Sequence, residues 1–240
     1  MKAVIVVPAR WASTRFPGKP LAMIAGTSLI QRVHDRAVLS RKAAAVVVAT
    51  DDDRIAEHVL SFGGRVVRPQ GEFRTGTDRI AAALPLLGMS CDQIINVQGD
   101  EPLIDIGAVD RVIERLQEGG CDLATLACPI GDDHDFRSPD IVKVVLDEAG
   151  NALYFSRSPI PHGGPAGALR HIGLYGYQTS VLEALARLPA SPLEQAESLE
   201  QLRALQNGFK IAVLQTASPH LGVDRPEDVE RVEHELAKLD

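Results

Sequence analysis

The apolar positions of this chain change period along its length. Residues 3–7 form an unbroken, mostly β-branched run that stops at Pro8, as in a strand buried on both faces. From Ser28 the period becomes helical: Ser28 is placed to cap a helix whose inner face is Leu29, Ile30, Val33 and Ala37. Residues 44–50 return to the strand pattern. Asp53 is expected to cap the next helix, with Ile55, Val59 and Leu60 on its apolar face and Gly63-Gly64 at its end. Residues 65–67, 93–98 and 123–128 read as further strands, with helices at 77–87 and 106–116. Strands separated by single helices predict parallel pairing through right-handed crossovers. The expected fold is therefore α/β, a Rossmann-like, mostly parallel sheet with flanking helices.

Past residue 130 the rhythm changes. Residues 142–146 and 152–155 flank a turn-like Asp147-Glu148-Ala149-Gly150-Asn151, which predicts a hairpin. Residues 158–167 are rich in Pro and Gly and read as a loop. A strand is expected at 171–177, helices at 180–187 and 193–206, and a strand at 211–215. Pro226 suits the first turn of a closing helix whose apolar face is Val229, Val232 and Leu236. The pattern divides the chain into an α/β part (1–130), a smaller α+β part (131–210) and a C-terminal strand and helix (211–240) expected to return to the first part.

Composition narrows the function. With 25 Lys and Arg against 32 Asp and Glu, the net charge of −7 argues against general nucleic-acid or membrane-surface binding. Cys91, Cys121 and Cys128 are odd in number and lack metal-ligand spacing, which fits a reduced, cytoplasmic setting. No apolar stretch is long enough for a membrane span.

Against that acidic background the loop after the first strand stands apart. Residues 8–21 carry Arg10, Arg15 and Lys19 and no acid. Open parallel sheets bind ligands at the carboxyl ends of their strands. Two guanidinium forks and one compact ammonium there suit a polyphosphate. The loop is neither GxxxxGK[ST] nor GxGxxG, which weighs against an ATPase and a dinucleotide dehydrogenase. A second candidate is Gly99-Asp100-Glu101 after the fourth strand, where a carboxylate beside glycine suits a hard divalent cation near phosphate. Thr75-Gly76-Thr77 opens a helix, and its backbone N–H groups allow close approach of a base or ribose, or simple capping by Thr77. Taken alone, Asp224 reads as a helix N-cap before Arg225-Pro226.

The motif PAR-x-x-STR-x-PGKPL resembles the opening of sugar nucleotidyltransferases that use CTP, above all the 3-deoxy-D-manno-octulosonate (Kdo) cytidylyltransferase family. Further matching segments follow in order: ATDDDRI (49–55), TGTDRI (75–80), NVQGDEPLI (96–104), VKVVLD (142–147), ALYFSR (152–157), RHIGLYGY (170–177), LEQLRAL (199–205) and GVDRPED (222–228). Two departures are Thr75, where the family more often has Ser, and the interval from Arg157 to His171, shorter than in many relatives.

The resemblance implies transfer of CMP from CTP to Kdo, giving CMP-Kdo and pyrophosphate for lipopolysaccharide biosynthesis, in a cytoplasmic homodimer that uses Mg²⁺. It makes Arg10, Lys19 and Asp100 catalytic. Ala9, Arg10, Ser13, Arg15, Lys19, Thr75, Gly76, Thr77 and Asp100 would bind the nucleotide, with Asp100 and Asp224 as metal ligands. Gln98, Arg157, His171, Tyr175, Glu200 and Gln201 would bind the sugar acid, in a second part that also forms the dimer. Without the resemblance, Tyr175 reads as core and Glu200 as a solvated helix face. The rival readings are a related acid (8-amino-Kdo or an N-acylneuraminate) and a non-catalytic nucleotide sensor. Asp132-Asp133-His134-Asp135 reads as a solvated loop, and Phe62 and Phe209 as core.

Overall fold

A computed structural model describes residues 1–12, 15–73, 75–217 and 221–238. Its elements run β1 (Ala3–Pro8), β2 (Met23–Ile24), β3 (Thr27–Ser28), α1 (Leu29–Ala37), β4 (Ala43–Ala49), α2 (Asp53–Ser61), β5 (Arg65–Val67), α3 (Gly76–Ala83), β6 (Gln93–Asn96), α4 (Ile106–Gln117), β7 (Leu123–Pro129), α5 (Asp133–Arg137), β8 (Lys143–Leu146), β9 (Ala152–Ser156), β10 (Leu169–Gln178), α6 (Thr179–Arg187), α7 (Pro192–Glu197), α8 (Gln201–Gln206), β11 (Ile211–Gln215) and α9 (Asp228–Leu236). This is the α/β class that the alternation predicts. The chain forms two compact units, Met1–Asp110 with His220–Asp240, and Arg111–Pro219. The division between them falls inside α4.

In the first unit β6, β1, β4 and β5 are all parallel. Ala3, Val4, Ile5, Val6 and Val7 are fully buried, because β1 is central and covered on both faces. The chain runs from β1 to β4 and β5 on one side, then returns to place β6 on the other. That reversal makes the carboxyl ends of β1 and β6 a topological switch point. α1 buries the four residues expected, and Ser28 caps it by accepting from the Gln31 N–H. α2 differs in two details. Asp52, one residue earlier than expected, is the cap and accepts from the Arg54 N–H; Ala56 packs inward while Leu60 is 61% exposed.

The C-terminal return is split. α9 packs on β2, and Glu233 accepts the Ala25 N–H, so the helix belongs to the first unit. β11 pairs in parallel with β7 and stays in the second. Pro226 lies in the turn before α9, not in its first turn.

In the second unit β7 also pairs antiparallel with β10, β10 with β8, and β8 with β9 in the expected hairpin. The β7–β10 register shifts between Ile172 and Tyr175, which oppose Leu126 and Thr125. The single helix expected at 193–206 is two, because Ser198 turns left-handed at φ 53° and ends α7. Phe62 and Phe209, expected in the core, are half-buried.

Candidate active site

Two glycines shape the loops at the switch point. A side chain at Gly99 would meet the Pro8 carbonyl oxygen at 2.8 Å, so glycine lets the turn after β6 lie against the end of β1. Gly18 takes φ 72°, and its missing side chain leaves room for the Trp11 ring at 2.9 Å. Arg54 stacks on the same ring, its guanidinium 3.3 Å from the Trp11 ring centre. Gly18 then leads into a single 3-10 turn, Lys19–Leu21, with Pro20 buried, which fixes where the Lys19 stem begins.

A cleft of about 230 Å³ opens between these loops. Of the predicted nucleotide and metal residues, Ala9, Arg10, Arg15, Lys19, Thr75, Gly76, Asp100 and Asp224 line it, together with Gln98. Ser13 lies outside the described residues. Thr77 does not belong to the lining; it is buried in the first turn of α3, and Thr75, not Thr77, caps that helix by accepting the Asp78 N–H at 3.0 Å. The reason is positional: Thr75 is the last extended residue before the helix, and its hydroxyl reaches the N–H three residues on.

Charge converges in this cleft. The Lys19 ammonium lies 2.7 Å from Asp100 Oδ2 and 3.5 Å from Asp224 Oδ1, and Arg15 reaches the same Asp224 oxygen at 3.2 Å. Asp224 arrives there because the Val223 N–H donates to the Asp100 carbonyl at 2.8 Å, joining the C-terminal segment to the turn after β6. Asp224 is therefore no helix cap; α9 starts later, and Asp228 accepts the N–H groups of Asp224 and Arg225. Two acids 124 positions apart in sequence meet at one cation. Two carboxylates converging on a single positive centre form a donor set that suits a hard divalent ion.

Against this geometry a family described as Cytidylyltransferase matches residues 4–211. The chain belongs to the cytidylyltransferase family. Among its relatives, the 3-deoxy-manno-octulosonate cytidylyltransferase of Syntrophotalea carbinolica is 48% identical, over all of both chains. The 8-amino-3,8-dideoxy-manno-octulosonate cytidylyltransferase of Shewanella sp. (strain W3-18-1) is 45% identical over 99% of each. A solved structure of CMP:2-keto-3-deoxy-manno-octonic acid synthetase complexed with CTP superposes with a TM-score of 0.95 at 40% identity, covering 100% of both chains.

Sequence reasoning missed part of this cytidylyltransferase's cleft. Arg79 and Phe73 also line it. Arg79 is only 5% exposed, pairs with Asp51 at 2.7 Å and lies 4.9 Å from the Phe73 ring centre. The signal was present in the TGTDRI segment, where an arginine directly precedes the buried Ile80.

In the second unit of the cytidylyltransferase, Arg157 is held at both ends. Its backbone N–H donates to Glu197 Oε2 at 2.8 Å, and its guanidinium donates to the carbonyls of Glu197 and Pro139 at 2.9 Å each. Burial alone would raise the Glu197 pKa, but hydrogen bonds from Ser156, the Arg157 N–H and Tyr154 outweigh it and hold the group below the usual carboxylate range. Lys143 is fully buried and donates to the carbonyls of Ser138, Ile141 and Arg157 at 2.9, 2.7 and 2.6 Å. Burial pushes its ammonium pKa down. Neither Glu197 nor Lys143 was singled out from the sequence, although a lysine inside the apolar run VKVVL is itself an anomaly that asks for a partner.

His171 and Tyr175 lie on β10, the His171 ring 5.0 Å from Phe155 and 5.2 Å from Tyr175. Burial pushes the His171 imidazole down to about 3 and the Tyr175 phenol well above its ordinary value, so both are neutral at physiological pH. Glu200 immediately precedes α8 and Gln201 opens it, with Glu200 Oε1 3.9 Å from Arg203. Asp132, His134 and Asp135, expected in a solvated loop, are largely exposed but lie close together at the start of the short helix α5, which Asp132 caps by accepting the Asp135 N–H. No described helix is long and apolar enough to cross a membrane.

Proposed function

We propose that the chain transfers CMP from CTP to Kdo, releasing pyrophosphate and supplying CMP-Kdo for lipopolysaccharide assembly. One observation carries this reading: the meeting of Lys19, Arg15, Asp100 and Asp224 in a cleft at the sheet's switch point. Both substrates are anionic, so the reacting atoms repel one another unless the site supplies positive charge. Arg10, Arg15 and Lys19 provide it, gripping the triphosphate and neutralising oxygens that gain charge as the α-phosphorus is attacked. Thr75 and Gly76 face the nucleoside. Asp100 and Asp224 hold Mg²⁺, whose contribution when bound is charge neutralisation and orientation of phosphoryl oxygens. The nucleophile is the sugar's own anomeric hydroxyl, and no side chain need form a covalent bond.

In the second unit Arg157 pairs with the sugar carboxylate. His171, Tyr175, Glu200 and Gln201 hydrogen-bond its hydroxyls. The same reading makes the enzyme a cytoplasmic homodimer, supported by the family resemblance and by three free cysteines among the described residues. Sedimentation of the purified chain tests the dimer.

The deciding assay is pyrophosphate release from CTP with Mg²⁺ and, in parallel, Kdo, 8-amino-Kdo and an N-acylneuraminate. Fastest turnover with Kdo is expected. Preference for 8-amino-Kdo, the substrate in the names of several relatives about 45% identical, would reassign the acid. No turnover with any acid in folded, CTP-binding protein would turn the reading to a sensor.

A further inference from the structure

Thr125 lies in β7, fully buried, opposite the irregular stretch of β10. Its hydroxyl oxygen lies 2.7 Å from the Leu174 carbonyl, 3.2 Å from the Ile172 carbonyl and 3.0 Å from His171 Nε2, with the Tyr175 phenol, itself able to donate, as a further polar neighbour. A threonine hydroxyl has one proton to give, and carbonyls can only accept. Were Nε2 bare, three acceptors would compete for that proton. Whichever received it, two contacts between lone pairs would remain in a site without water to relieve them. With a proton on Nε2 the conflict disappears: the ring donates to the threonine oxygen, and the hydroxyl passes its own proton to Leu174, with Ile172 as a longer secondary acceptor.

We infer that Thr125 is a positioning residue that locks His171 in the Nε2–H tautomer, so that the ring offers Nδ1 as an acceptor to a hydroxyl of the sugar acid. The register shift in the β7–β10 ladder is what makes this possible. It turns the carbonyls of Ile172 and Leu174 toward one side chain of the neighbouring strand. The ring itself is held between Phe155, at an interplanar angle of 79°, and Tyr175. The imidazole's low pKa excludes the doubly protonated form, in which Nδ1 would be a donor. A neutral acceptor at this position selects a substrate group that can donate, a hydroxyl and not an ether or a ketone. The assignment to the sugar rests on the function proposed above; the tautomer does not.

Nitrogen NMR of histidine-labelled protein tests it, with His171→Asn identifying the His171 signals. In the unaltered chain Nε2 should carry the proton and Nδ1 should show the shift of a bare ring nitrogen; the opposite pattern overturns the inference. Thr125→Val should release the lock and raise KM for Kdo about tenfold, the weight of one buried hydrogen bond, with KM for CTP unchanged. Thr125→Ser, which keeps the hydroxyl, should restore both the shifts and the KM. If Thr125→Val does not fold, the spectrum of the unaltered chain and the serine variant still decide the tautomer. If His171→Asn raises KM for Kdo and folded Thr125→Val does not, the positioning role is wrong. If neither variant alters KM for Kdo while the tautomer is as stated, the sugar-site reading fails and the lock stands.

Discussion

The phosphate cleft of the first unit and the polar interior of the second solve opposite problems. In the cleft, like charges that would repel are held close together and half-open to water. Arg15 and Asp224 are each more than half exposed, and such pairs add little to stability. In the function proposed, their arrangement serves a ligand that brings its own charge. In the second unit Lys143 and Thr125 are fully buried and Glu197 half-buried, and their partners are carbonyls, hydroxyls, backbone N–H groups and the His171 ring of the same unit. Those three groups are satisfied internally, and removing one leaves its partners stranded. The difference separates residues that a reaction needs from residues that a shape needs.

Substitution should expose that separation most clearly at Asp100. Asp100→Asn is expected to lower kcat about a thousandfold while the thermal midpoint stays within a few degrees. Turnover near normal at limiting Mg²⁺ would remove the acid from the site. Lys19→Ala should follow with a loss of about a hundredfold in kcat/KM for CTP and little change in affinity for the sugar acid; the reverse pattern would move Lys19 out of the phosphate contacts. Lys143→Met inverts the signature. Three carbonyls lose their donor, and a cost of about 3 kcal/mol in urea denaturation is expected. A stability loss below about 1 kcal/mol would show that water replaces the ammonium without penalty.

Acid provides the smallest and most graded test. The folded His171 titrates near 3, while the same ring in the unfolded chain titrates near its ordinary 6.5. Between those values the unfolded chain binds a proton that the folded chain refuses. The contribution is therefore intact above pH 6.5 and is lost as pH falls toward 3, by at most about 1.4 kcal/mol for each unit. Urea midpoints measured from pH 7.5 down to 5 should fall for the unaltered chain and fall less steeply for His171→Asn. Parallel lines for the two would mean that His171 is open to solvent.

How much was legible in the sequence follows the same divide. Periodicity located β1, α1 and the β8–β9 hairpin because each is decided by local pattern and its own cap or turn. The basic loop was legible because three cations without an acid are anomalous in an acidic chain. The Asp100–Asp224 meeting was not readable from spacing; only the family resemblance joined residues so far apart, and the Val223–Asp100 backbone bond is what brings them together. Lys143 escaped notice because its partners are main-chain carbonyls, which no side-chain pattern announces, and Glu197 because its partners, the Ser156 and Tyr154 hydroxyls and the Arg157 N–H, lie about forty positions away in sequence. The break at Ser198 escaped because a helical period runs on through a single left-handed residue. Asp52 and Asp53 both suit a cap, and geometry chose the first.

The late arrival of Asp224 has a consequence for biosynthesis. β1, β4, β5 and β6 can pair once residues 1–100 have left the ribosome, but the second acid of the cleft and the Glu233 brace on Ala25 are translated more than a hundred residues later. A polypeptide interrupted before Asp224 would thus display a sheet and a basic loop yet lack one of the two carboxylates of its cleft.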